Sequence, residues 1–125
     1  MKEIYKFIIP LPPVTKKNHS NIFFNKATGK RFISTSDSYK QYEKDFLLLC
    51  PNIPIINYPI NLKAIYYMPT KRKVDLINLH SALHDCLVKK NVLFDDNCSI
   101  IVSTDGSRVF YDKENPRTEV IIEKY

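Results

Sequence analysis

At 125 residues, 44% apolar and 26% charged, the chain has the size and composition of one folded domain, not of a disordered or fibrous protein. No apolar run is long enough to span a bilayer, because Ile53 to Met68 is broken by Pro54, Pro59, two Asn and Lys63. The net charge is +6, and it belongs to residues 1–31, where seven Lys or Arg face Glu3 alone; the rest of the chain holds twelve of each sign.

In chain order, Ile4 to Ile9 reads as a strand ended by Pro10-Leu11-Pro12-Pro13. The segment Met1–Tyr5 that leads into it is too short and too polar for a signal peptide, so the expected location is cytoplasmic. A polar loop covers residues 14–21. Ile22-Phe23-Phe24 and Arg31-Phe32-Ile33 then flank a turn in which Gly29 would supply a positive φ, predicting a hairpin. Ser36 or Asp37 caps a helix running to about Cys50, with Tyr39, Tyr42, Phe46 and Leu49 on one stripe. Pro51 and Pro54 stop it.

Ile60 to Met68 alternates as a central strand, and Pro69 to Lys73 is a loop. A second helix spans about Leu76 to Lys89, with Leu76, Leu79, Leu83, Cys86 and Leu87 as its core stripe and Asp75 as N-cap. Ser99 to Ser103 is a strand, Asp105-Gly106 a turn, Tyr111 to Arg117 a charged loop, and Thr118 to Glu123 a last strand. This order predicts a single α+β domain over residues 1–125, with one mixed sheet covered by two helices. Strand 60–68, helix 76–89 and strand 99–103 would form a βαβ unit.

The basic N-terminal residues Lys16, Lys17, Lys26, Lys30 and Arg31 favour a polyanion, nucleic acid first and an acidic membrane surface second. A second basic run, Lys71-Arg72-Lys73, immediately precedes Val74-Asp75-Leu76-Ile77-Asn78. Asp75 and Asn78 lie one helical turn apart and can meet at one metal or water, although an N-cap Asp with a polar residue at the third position is also ordinary helix punctuation. Asp95 and Asp96 are adjacent carboxylates that need a cation or solvent to relieve their repulsion. A crossover could return them beside Asp75, and a cluster of hard oxygens suits Mg²⁺ or Mn²⁺. Asp85 is ten residues beyond Asp75, roughly 15 Å along a helix, which makes it a supporting residue or the partner of a base.

Other chemistries find less support. His80 and His84 are four apart, but position 81 is Ser, so HExxH is absent and zinc is not indicated. These histidines belong at the edge of the core stripe or facing DNA. Three scattered cysteines, Cys50, Cys86 and Cys98, without a CxxC read as reduced thiols. With only Gly29 and Gly106, no glycine-built phosphate cradle can form, so a nucleotide cofactor is not expected.

The chain resembles the RusA-like family of Holliday-junction resolvases. The opening Ile8-Ile9-Pro10-Leu11-Pro12-Pro13, the polar Lys16-Lys17-Asn18, the helix start Asp75-Leu76-Ile77-Asn78, the mid-helix Asp85 and the pair Asp95-Asp96 follow the family's order. Two positions depart from it: Ile77 stands where the family has a second Asp, and Ser81 where it has a Lys. The resemblance implies a metal-dependent endodeoxyribonuclease that cuts branched DNA by paired symmetric nicks in recombination or repair. It implies Asp75, Asp95 and Asp96 as catalytic residues, and these with Asn78 as ligands of Mg²⁺, with Mn²⁺ as a substitute. Lys71, Arg72 and Lys73 would hold the scissile strand, while Lys16, Lys17, Lys30 and Arg31 would track the junction arms. It also implies a homodimer matched to the junction's two-fold symmetry, in a bacterial or phage-infected cell. Because of Ile77 and Ser81, the alternatives are a catalytically weakened branched-DNA-binding relative and a small interaction protein that takes neither DNA nor metal.

Overall fold

The computed structural model describes residues 2–16, 20–25, 30–35 and 37–125, with side chains from 2–16 and 37–125. Alternating apolar residues build the strands β1 (Lys2–Ile9), β4 (Ile60–Met68) and β7 (Arg117–Lys124). Between β1 and β4 come the hairpin strands β2 (Ser20–Asn25) and β3 (Lys30–Thr35) and the helix α1 (Asp37–Leu49). After β4 come α2 (Leu76–Lys89), β5 (Ile101–Ser103) and β6 (Arg108–Tyr111). The main sheet is mixed, with β1, β7 and β4 successive antiparallel neighbours and β5 and β6 both parallel to β4 on its far side. β2 and β3 pair antiparallel as a separate two-stranded sheet, as expected, whereas the turn assigned to Gly29 and the cap assigned to Ser36 lie outside the described residues.

The core lies between the sheet and the two helices. β4 sends Leu62, Ala64 and Tyr66 inward, β7 sends Val120 and Ile122, and all are essentially inaccessible. They meet Tyr42 and Phe46 of α1 and Leu79, Leu83, Cys86 and Leu87 of α2. Side chains spaced three and four apart on a helix share one face, which is why these stripes could be read from the sequence. Leu49 is a correction to the α1 stripe: it is 47% exposed because the helix ends there. The cysteines are free, Cys50 and Cys86 buried and Cys98 exposed, and burial pushes the Cys86 thiol up to about 12. Among the described residues, no helix is long and apolar enough to cross a membrane.

Two strands share the far edge because the chain breaks after β5 and restarts as β6. Asn61 pins the break. Its amide donates to the Asp105 carbonyl (3.1 Å) and to Glu123 Oε1 (2.8 Å), and its Oδ1 accepts from the Asp105 N–H (2.7 Å) and Ser103 Oγ (2.6 Å). Ser107 Oγ then takes the Ala64 N–H (3.0 Å) that no strand residue reaches, and donates to the Thr104 carbonyl (2.7 Å). Gly106 turns the chain at φ 87°, a left-handed value that favours glycine, and a Cβ there would lie 2.9 Å from Lys63 Cδ. The strand predicted from Ser99 begins only at Ile101, because Ile100 and Ile101 both donate N–H bonds back to the Asn97 carbonyl in a turn.

Candidate active site

α2 starts where the sequence places it, and Asp75 is its N-cap, but the carboxylate makes no capping hydrogen bond. The Asp75 carbonyl instead accepts the N–H groups of Asn78 (3.1 Å) and Leu79 (3.2 Å). The side chain is exposed and meets Asn78 Nδ2 at 3.4 Å, so the two predicted donors do come together. The carboxylate thus remains at the positive end of the helix, where negative charge is favoured. Lys71, Arg72 and Lys73 lead into it as an exposed loop. None of the ion pairs among the described residues involves them. Ile77 is 76% exposed and Ser81 is exposed, so both departures from the family pattern lie on the surface.

Asp95 and Asp96 form the second group. The Asp96 N–H donates to Asp95 Oδ1 (2.7 Å) and Asn97 Nδ2 to Asp95 Oδ2 (3.1 Å), so both Asp95 oxygens hold their own loop. Asp96 is the outward member of the pair. Partial desolvation, its bond with Asp95 and the charge of Asp85 hold its carboxyl above the ordinary range. Asp85 faces Lys16, whose amine lies 2.7 Å from Oδ2. That meets the expectation that Asp85 partners a base, and it ties down a cation expected on DNA; the pairing in turn raises the Lys16 amine above its usual value.

The βαβ crossover forms as expected, β5 lying parallel to β4. It does not return Asp95 and Asp96 to Asp75 within one chain. α2 runs back along β4, so Asp75 sits beyond the Met68 end and Lys89 near the Ile60 end. The Asp95–Asp96 loop is anchored at that second end: the Phe94 N–H donates to the Ile56 carbonyl (2.9 Å) and the Ile60 N–H to the Ile100 carbonyl (2.8 Å). A helix of 14 residues spans about 21 Å. Among the described residues, no three His, Cys, Asp or Glu side chains form a group that could hold a metal ion. The direction of a parallel crossover was the available signal: its helix carries the chain back to the start of the first strand.

The remaining predicted residues divide. Lys30 and Arg31 lie on β3, paired with Asn25 and Phe24, with their side chains outside the description, and Lys17 and Lys26 fall outside the described residues. His80 is buried and its Nδ1 meets the Tyr66 hydroxyl at 2.7 Å. The His84 ring stacks on it at 5.3 Å, and burial lowers both imidazoles, His84 to about 4. They belong to the edge of the core. Arg108 and Phe110, two exposed side chains on β6, could not be read from the sequence, because that strand has no alternation of burial.

A mixed sheet covered on one face by two helices, with carboxylates at both ends of the crossover helix and a basic loop at its head, defines an α+β domain. The family model for endodeoxyribonuclease RusA matches residues 10–123, and the chain belongs to this family. At the level of the family, that membership means endodeoxyribonuclease activity on branched DNA, the Holliday junction included. A search of curated proteins found no match.

Proposed function

We propose that this chain is a Mg²⁺-dependent endonuclease, with Mn²⁺ as a substitute, that works as a homodimer and resolves four-way junctions by paired symmetric nicks. The observation that supports this most is Asp75: an exposed carboxylate without a capping bond, two residues beyond three cations that have no carboxylate partner among the described residues. Lys71, Arg72 and Lys73 hold phosphates of the scissile strand, and Asp75 with Asn78 presents oxygen donors beside them. Asp96, supported by Asp95, presents the second set. Hard oxygens suit Mg²⁺, which when bound supplies Lewis acidity to a water and to the phosphoryl oxygens. Within one chain, however, the two sets stand at opposite ends of α2 and do not fit a single ion. A two-fold dimer in which the head of one α2 meets the tail of the other would join them, and it suits a substrate of approximate two-fold symmetry.

A second reading, a weakened branched-DNA-binding protein without nuclease activity, draws on Ile77 and Ser81. Incubation of a synthetic four-way junction with the protein in Mg²⁺ and in Mn²⁺, with Asp96→Asn alongside, separates the two. Paired nicks that vanish in Asp96→Asn support the resolvase. Salt-dependent binding without nicks supports the second reading, and neither binding nor cutting sinks both.

A further inference from the structure

β6 is an edge strand of the sheet, and all four of its residues are exposed. Phe110 is 49% exposed, a large apolar group where an edge strand ordinarily carries charge. It ends a row of flat groups. On the sheet face away from the helices, the Arg117 guanidinium lies 3.7 Å from the centre of the Tyr67 ring. Phe110 packs against Tyr67 from the other side, its ring 5.6 Å away and tilted 31°. Asp112 (3.0 Å) and Glu119 (2.9 Å) both clamp Arg117, so the row is held from behind and its charge is matched. Among the described residues, no ring other than Tyr67 lies against Phe110.

The cation beside that open ring is unmatched. Arg108 lies on the same face two residues earlier, whereas Lys71 approaches, at 5.2 Å, the ring of Tyr111, which the strand alternation turns to the opposite face. Arg108 joins no ion pair among the described residues, and Asp112, the carboxylate next to this edge in sequence, is held by Arg117. A rigid aromatic face beside an unmatched cation suits a flat apolar group attached to an anion. An unpaired nucleotide has that chemistry, since any base can stack while its phosphate takes the cation. We infer that Phe110, backed by Tyr67 and Arg117, is a stacking platform for an unpaired base at the branch point, with Arg108 holding the adjoining phosphate. The inference rests on the branched-DNA reading and adds to it the part of the DNA that this edge takes.

The test compares binding to a single-stranded oligonucleotide with binding to the same strand carrying abasic residues, which keep the phosphates and lack the rings. A plain duplex and a four-way junction are measured in parallel. The wild type should prefer the base-bearing strand by about tenfold, the lower part of what one stacked base contributes. Phe110→Ala should lose that preference with duplex binding unchanged, and Phe110→Trp should keep it. No preference in the wild type, or a preference retained in Phe110→Ala, overturns the inference. So does a Phe110→Ala protein that sediments as a smaller species than the wild type, because the ring would then be covered by a second copy. Preference for bases without junction binding or cleavage would sink the resolvase reading and leave the platform standing; cleavage without the preference would do the reverse.

Discussion

Ile77→Asp tests the reading of α2's head directly. Ile77 is 76% exposed, so about a quarter of its side chain is buried and its removal costs about 0.5 kcal/mol. Position 77 is the second residue after the N-cap, where a carboxylate gains about 0.3–1 kcal/mol from the helix dipole. Asp75 is an N-cap with extended backbone, so a carboxylate at 77 can approach it, and repulsion between these two solvent-screened charges offsets part of that gain. The net change in stability should be close to zero, within about 2 °C in Tm. Junction cleavage should change far more: another hard oxygen at Asp75 should lower the Mg²⁺ concentration for half-maximal rate by about tenfold, the order of effect of one residue around a metal. Ile77→Asn has the same shape without the charge and separates the new carboxylate from the loss of Ile. Equal Mg²⁺ dependence in the Asp and Asn variants would show that position 77 does not face the ion. A fall in Tm well beyond about 5 °C would show that Ile77 is more buried than its exposure implies.

Further outcomes follow from the same geometry. His84 is held at about 4 against an ordinary value of 6.5, so its neutral form stabilises the fold fully above pH 6.5, and that contribution is lost as pH falls toward 4. The loss is at most about 3 kcal/mol, and His84→Gln should flatten urea-measured stability across this window. Asn61→Ala breaks four hydrogen bonds at a fully buried site and should cost about 3 kcal/mol in chemical denaturation. Replacing Lys71, Arg72 and Lys73 together with Gln should reduce the slope of log Kd against log salt by about 2 to 3 on junction DNA. Lys16→Met should reduce it by much less than one, since Lys16 already faces Asp85.

The elements that could be read from the sequence are those whose burial repeats. β4 and α2 begin and end where alternation and helical spacing place them, because each has one face against a common core. β6 has no such rhythm. Its pairing to β4 depends on Asn61 and Ser107, residues whose roles exist only after the chain has folded back across some 40 positions. Lys16 and Asp85 are 69 residues apart, so a basic run that read as open to a polyanion loses one of its members to a contact that spacing cannot show.

The carboxylates make the more instructive case. Their positions along the chain were legible, and so was the crossover between them. A parallel crossover requires its helix to run back along the first strand, so residues just before and just after that helix face opposite ends of the sheet. Asp75 and Asp96 obey this: one stands beyond Met68, the other in a loop anchored at Ile56 and Ile60. If both serve one reaction, assembly of the site is inseparable from assembly of the dimer. Activity should then fall with protein concentration below the dimer's dissociation constant. A mixture of Asp75→Asn and Asp96→Asn chains should recover cutting at about one site in four, because random pairing leaves half the dimers mixed, each with one intact head and tail. A single-chain site would give no recovery from that mixture at any concentration.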